Sequence, residues 1–272
     1  GVNGMGLVMV GLAVFLVPLV LLAAAGDFRG ESPDRAAGYV GWVLALEAVM
    51  IGIFAARDVF LFYVFFELMI LPMYFLIGRY GGEGASRAAV KFVLYSLFGG
   101  LVMLVGVVAL AARAEGSKGL LFESAAQAAG GNGMLVFLTF FAAFAIKAPM
   151  FPVHTWLPDA AEKAPAGTST LLVGVLDKVG TYGMIALCLP IAPDAAKSAA
   201  VPVMVFAVIS IFWGAFMAIA SNDLMRLIAY TSVSHFGFIV LGVFSGSSTA
   251  MTGAIVYMVA HGVATGALFL TV

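Results

Sequence analysis

Long apolar runs separated by short polar stretches dominate the pattern along this chain of 272 residues. About 20 mostly apolar residues are enough for a helix to cross a bilayer. On that measure the sequence predicts nine segments, namely Asn3–Ala25, Gly38–Ala56, Asp58–Gly78, Ala88–Ala112, Met134–Ala148, Thr168–Leu189, Ala199–Ala220, Asp223–Val243 and Ala250–Val272. We therefore expect residues 1–272 to form one all-α domain that crosses the membrane many times.

The fifth segment differs from the other eight, because Met134–Ala148 is too short to span and runs into prolines at 149, 152, 158 and 165. Proline lacks a backbone N–H and clashes with the preceding turn, so the pattern predicts a helix that breaks just after Lys147. Irregular backbone at membrane depth needs protein or a water-filled cavity around it, and secondary transporters bind ions at such breaks. A short buried helix followed by a surface loop is the alternative.

Composition supports a membrane protein and excludes several other classes. The chain is 63% hydrophobic and 10% charged, against about 25% charged in soluble domains. A net charge of −1 without a basic cluster excludes a nucleic-acid partner. The single cysteine, Cys188, cannot hold an iron–sulfur cluster, so no redox site or cofactor is expected in this chain. The chain ends inside an apolar stretch, Leu268–Val272, which we interpret as a fragment of a longer protein.

Ionisable residues inside the apolar runs are the strongest functional signal. Glu67 is ninth of the 19 residues from Val59 to Ile77, and Lys178 is eighth in the run that begins at Leu171. Lys147 stands at the proline break, while His235 and His261 lie centrally in the eighth and ninth segments. A charge at membrane depth costs roughly 2.5–3.5 kcal/mol and usually marks an ion or proton pathway. The five residues predict a proton-transfer row at one depth, whereas a single histidine alone would more often be a satisfied buried group.

Four further residues are secondary candidates. Glu47 is central in the second segment, and His154 follows the proline break. Lys91 lies near the start of its segment, where its amine can reach the interface, so anchoring is favoured over transport. Asp177 adjoins Lys178 but points about 100° away on a regular helix. Haem ligation by the histidines is disfavoured, because each segment offers only one.

Four strings carry a family resemblance: FFELMILPMYFLIG at 65–78, KAPMFPVHTWLPD at 147–159, DLMRLIAYTSVSHFG at 223–237 and HGVATGALFL at 261–270. They resemble the antiporter-like membrane subunits of respiratory complex I, over nearly the whole chain. The first string is more similar to the M-type subunits of bacterial NADH:quinone oxidoreductases than to the L or N types. One departure is the stretch 158–169, where many relatives have a histidine near Ala161 and a different proline spacing, so the part of this loop in proton entry is open.

The resemblance implies a fold of about fourteen helices in two inverted repeats, with residues 38–189 as the first repeat and 199–272 as the start of the second. By position it implies that Glu67, Lys147 and Lys178 carry protons, with His235 and His261 on the central axis. It also implies a proton-translocating subunit of NADH:quinone oxidoreductase in the bacterial plasma membrane. Flavin, iron–sulfur clusters and quinone would be held by partner subunits, including adjacent antiporter-like ones.

Two alternatives stay open. One is the related subunit of a multi-subunit sodium/proton antiporter or a membrane-bound hydrogenase, which shares the Glu and Lys set. The other is a passive structural or quinone-binding membrane subunit.

Overall fold

The computed structural model describes residues 2–114 and 120–272, and the described part is almost entirely helical. The helices are α1 (Gly4–Asp27), α2 (Pro33–Ala55), α3 (Val59–Leu68), α4 (Ile70–Gly78), α5 (Ala85–Ala111), α6 (Ala125–Ala129), α7 (Gly133–Lys147), α8 (Trp156–Lys163), α9 (Ala166–Leu171), α10 (Lys178–Gly183), α11 (Leu189–Ile191), α12 (Pro193–Ile219), α13 (Leu224–Phe244) and α14 (Ser248–Thr271).

Within the described ranges these helices make nine spans that are long and apolar enough to cross a membrane. Helices α3 and α4 form one span, α6 and α7 another, and α9 to α11 a third. The predicted multi-pass, all-α architecture is therefore confirmed. The division into inverted repeats stays a prediction.

Polar residues at the helix starts explain where several spans begin. The side chains of Asp58 and Asp223 accept hydrogen bonds from the backbone N–H groups of Leu61 (2.9 Å) and Arg226 (2.8 Å). Such N-caps satisfy donors that the first helical turn leaves free. Each cap lies just ahead of a long apolar run, so sequence position and helix start coincide.

The fifth span corrects the expectation that it is too short to cross. Helix α6 and a 3₁₀ turn at Gly130–Asn132 precede α7, so the whole span covers 23 residues, Ala125–Lys147. Several glycines and polar side chains in 124–133 read as a loop in the sequence, but the backbone there is helical. The break after Lys147 is confirmed.

The break itself is held by side chains from two directions. The Trp156 indole Nε1–H donates to the Ile146 carbonyl (2.9 Å), and the Phe151 N–H donates to Ser210 Oγ of α12 (2.8 Å). Both bonds satisfy backbone groups that the proline-rich stretch leaves without regular helical partners. The irregular segment is therefore fixed against the bundle.

The sixth span, α9 to α11, is the centre of the bundle. Of the residues in its apolar stretch, 89% are buried inside the structure, against 61% or less in each other span of the described chain. Two π-helical segments interrupt it, at Leu172–Leu176 and Met184–Cys188. The first π-segment directly precedes Asp177 and Lys178, and because a π-segment shifts the side chains that follow it, it bears on where these two residues point.

Candidate functional site

Lys147 is the last residue of α7 and is completely buried. Its Nζ donates to Ser96 Oγ of α5 at 3.0 Å and lies 4.9 Å from the centroid of the Phe92 ring. A buried ammonium group needs hydrogen-bond acceptors and aromatic faces around it to persist away from water. Ser96 could not be singled out from the sequence, because a lone serine in an apolar helix has no evident role until its spatial neighbour is known.

Glu67 and Lys147 lie against the same face of α5, because Gly100 and Ser96 are four residues apart on that helix. Its carboxylate lies directly against Gly100, where a side chain would overlap with it. Oε1 is buried and has no hydrogen-bond partner in residues 2–114 and 120–272. The charges of Glu67 and Lys147 are close enough to interact. The structure thus brings together the acid and the lysine that the sequence singled out.

Lys178 is also completely buried and lies at the core of the bundle. Its Nζ donates to the Val173 carbonyl at 2.5 Å and is 2.7 Å from Nδ1 of His261. Val173 belongs to the first π-segment, so this carbonyl is available to the amine. The short Lys178–His261 contact gives these two residues a direct path for a proton.

The two histidines continue the row across α13 and α14. The ring centroids of His235 and His261 are 5.2 Å apart, and His235 Nδ1 makes a hydrogen bond with the Tyr257 hydroxyl. Tyr257 was missed by sequence reasoning, although it precedes His261 by four residues and so shares its face. The row therefore extends to a half-exposed tyrosine.

Asp177 is completely buried beside Lys178, and neither of its oxygens has a hydrogen-bond partner among the described residues. Its charge interacts with both Lys178 and Lys147. The angle of about 100° between Asp177 and Lys178 was predicted for a regular helix, and a π-segment directly precedes Asp177. Asp177 therefore lies buried directly before Lys178, without a protein hydrogen-bond partner among the described residues.

Glu47 does not belong with the row. It is half-exposed on α2 and forms no hydrogen bond or ion pair in the part of the chain that the structure describes. The core-facing side of α2 consists of apolar residues, such as Leu46 and Met50. The helix therefore turns the Glu47 side chain outward.

Lys91 forms an ion pair near the start of its helix, and its anchoring role stays a prediction. Its Nζ donates to Asp159 Oδ2 (2.6 Å) and to the Thr155 carbonyl (2.8 Å). Arg226 Nη1 donates to Asp159 Oδ1 (2.8 Å) and to Glu162 Oε2 (2.7 Å). These ion pairs tie α8 to the starts of α5 and α13, beyond the helix break.

The ion pairs set the charge state of the α8 carboxyl groups. Burial alone would raise the pKa of Asp159, but hydrogen bonds from Lys91 and Arg226 outweigh burial and hold that pKa below its ordinary value. For Glu162, a hydrogen bond from Lys163 contributes most to a lowered pKa. Both groups stay ionised at neutral pH and keep the network closed.

His154 lies in the irregular segment, away from the row. It is 3% exposed, and its Nε2 accepts a hydrogen bond from the Trp213 indole at 3.0 Å. Its ring packs near those of Phe151 and Tyr230. Burial, assisted by the charge of Lys91, lowers the pKa of His154 to about 4. It is a neutral packing residue at pH 7, and these contacts give it no link to the buried lysines.

Comparison with known proteins places this geometry in a family. The family described as "NADH:quinone oxidoreductase/Mrp antiporter, TM" matches residues 56–272. NADH-quinone oxidoreductase subunit M of Mycobacterium tuberculosis is 43% identical over 306 aligned positions, which cover 99% of this chain and 55% of that protein. The chain spans about half the length of the curated relatives it matches.

Solved structures agree with the sequence matches. A chain of respiratory complex I from Thermus thermophilus with bound NADH is 36% identical, with a TM-score of 0.87, over 99% of this chain and 56% of that one. A chain of the Mrp complex from Dietzia sp. DQ12-45-1b is 25% identical, with a TM-score of 0.78, over 96% and 49%. The nine apolar spans and these bacterial relatives describe a multi-pass protein of the bacterial inner membrane. Since the family match covers most of its length, the chain belongs to the NADH:quinone oxidoreductase/Mrp antiporter transmembrane family.

Proposed function

We propose that this chain is a proton-translocating membrane subunit of an NADH:quinone oxidoreductase. Redox chemistry in partner subunits, which would hold the flavin, iron–sulfur clusters and quinone, drives the transfer. The buried polar row of Glu67, Lys147, Lys178, His261 and His235 carries the protons. Similarity to subunit M of NADH-quinone oxidoreductases supports this assignment.

The observation that carries the proposal is the pair of completely buried lysines, each with a polar partner. Lys147 contacts Ser96 and interacts with Glu67, while Lys178 contacts His261. Desolvation favours the neutral form of a buried lysine, and a nearby carboxylate favours the charged form. Movement of charge at Glu67 would therefore load or release a proton at Lys147.

The second half of the row passes the proton onward through direct contact. Charged Lys178 donates along the 2.7 Å contact to Nδ1 of a neutral His261, which leaves a neutral amine and an imidazolium. The imidazolium then releases a proton from Nε2, which is buried and has no partner among the described residues. Transfer to His235, whose ring centroid is 5.2 Å from that of His261, would complete this step through a bound water at the edges of the two rings.

The test replaces Lys178 by alanine in the assembled complex and follows NADH-driven proton uptake in sealed membrane vesicles. Lys178→Ala removes a proton carrier, so we expect proton translocation to fall on the order of 100-fold, the scale of a lost acid–base group. Lys197→Ala is the matched control, since Lys197 is exposed at the start of α12 and outside the row. Unchanged translocation in the Lys178 variant, at matched complex content, would instead support a passive structural subunit.

A second candidate function is sodium/proton antiport, which the match to an Mrp complex chain favours. In the same vesicles, replacement of sodium by potassium distinguishes the two. Proton translocation that persists without sodium supports the oxidoreductase subunit. Translocation that requires sodium and runs without NADH supports the antiporter.

A further inference from the structure

Asp177 is the least satisfied ionisable group in the described part of the bundle. It is 0% exposed, and both Oδ1 and Oδ2 are buried without a hydrogen-bond partner. An isolated buried carboxyl group is costly, and native proteins satisfy nearly all such groups with protein or ordered water. The contacts within the described protein therefore do not by themselves account for this buried carboxyl group.

The position of Asp177 lies between the two halves of the row. It joins the π-segment Leu172–Leu176 to α10, which packs against the end of α7 where Lys147 stands. Gly180, one turn further along, faces the Phe144 carbonyl and the Ala148 N–H at the helix break, so no side chain separates the two backbones there. Asp177 is thus carried by the segment that bridges the broken helix and Lys178.

Both lysines are directed to other partners. Lys147 donates to Ser96, and Lys178 donates to the Val173 carbonyl and contacts His261. The charge of Asp177 nevertheless interacts with both amines. Asp177 directly precedes Lys178, and α10 packs against α7, which ends at Lys147, so an unpartnered carboxyl group lies in the region of both amines. Ordered water commonly satisfies buried polar groups of this kind.

We propose that Asp177 is a further proton carrier, which joins Lys147 to Lys178 through bound water. This inference rests on the proposed function above. The Lys147 ammonium gives a proton through water to the Asp177 carboxylate, which leaves a neutral amine and a carboxylic acid. The acid then gives the proton to the neutral amine of Lys178, which becomes charged and passes it to His261. Each step moves one proton between two groups, so the total charge of Lys147, Asp177 and Lys178 does not change during these two transfers.

The experiment compares Asp177→Asn, Asp177→Glu and Lys178→Ala in the assembled complex, with NADH-driven proton translocation as the measurement. Asparagine keeps the shape but cannot carry a proton, so we expect a loss on the order of tenfold or more. Glutamate restores a carboxyl group and should retain much of the parent rate. Asp194→Asn, at the exposed start of α12, is the matched acid-to-amide control.

Infrared difference spectroscopy during turnover separates a carrier from a fixed counter-ion, because only a carrier becomes a carboxylic acid transiently. The parent should show a carboxylic C=O band that Asp177→Asn loses and Asp177→Glu shifts. If the complex with Asp177→Asn does not assemble, the test uses Asp177→Glu alone. A carboxylic C=O band that stays unshifted in Asp177→Glu overturns the inference. Parent-like translocation in Asp177→Asn also overturns it. If Lys178→Ala abolishes translocation in that case, the proposed function stands and only the role of Asp177 fails.

Discussion

Gly100 offers a way to move the Glu67 carboxylate without changing any charge. A Cβ at position 100 would lie 2.8 Å from Oε2 of Glu67 and would overlap outright with the nearer carboxylate oxygen. The carboxylate must therefore retreat by about 1 Å or more, and displacement of a reacting group by that amount can cost on the order of 100-fold in rate. We expect Gly100→Ala to reduce proton translocation between about tenfold and 100-fold.

The same substitution has a bounded cost in stability, since overpacking a tight site costs about 1–3 kcal/mol. The loss of translocation should therefore appear in complexes that still assemble. Gly41→Ala is the control, because a Cβ at that position meets nothing within 4 Å. The assay is NADH-driven proton uptake in sealed vesicles at matched complex content.

A second substitution tests the geometric reason directly. Glu67→Asp shortens the side chain by one carbon–carbon bond, about 1.5 Å, which is enough to relieve the overlap. The double variant Gly100→Ala with Glu67→Asp should therefore translocate faster than Gly100→Ala alone. Parent-like translocation in Gly100→Ala would refute the reasoning, and so would a double variant that is slower than both single variants.

Three further outcomes follow from the contacts around the break and the end of the row. Trp156→Phe leaves the Ile146 carbonyl unsatisfied, so the free energy of unfolding in detergent should fall by about 1–3 kcal/mol. Trp42 stacks on Phe75, and Trp42→Phe, the control, should shift the unfolding midpoint less. His154 has its pKa lowered to about 4, so between that value and its unfolded pKa of about 6.5 the unfolded chain binds more protons. Stability should therefore fall as pH drops through this window, by at most about 1.4 kcal/mol per pH unit, and His154→Gln should flatten that part of the slope. Tyr257→Phe removes the hydroxyl bonded to His235 and should slow proton translocation severalfold, whereas Tyr95→Phe, which alters a hydroxyl bonded to Thr155, should not.

Sequence reasoning located the ionisable residues but could not say which of them meet. Glu67 and Glu47 look alike in the sequence, since each is a lone acid near the middle of an apolar run. The structure separates them, because Glu67 faces Gly100 of α5 while Glu47 is turned outward on α2. Helix rotation is set by packing against neighbours, which a single apolar run does not encode.

The apolar runs alone determined eight of the nine spans in the described part of the chain, because a helix in lipid must satisfy its backbone internally and only length and hydropathy are needed to recognise it. The fifth span was predicted too short, because its first half is not a continuous apolar run. The prolines after Lys147 determined the break for an equally local reason, the missing N–H. Tertiary structure decided the rest. Contacts between residues distant in the chain determine the π-segment beside Asp177 and the ion pairs between Arg226 and α8. They also determine that Ser96 is the partner of Lys147 and Tyr257 the partner of His235. The sequence shows that a charged residue in an apolar run needs partners, but only the packed bundle determines which partners reach it.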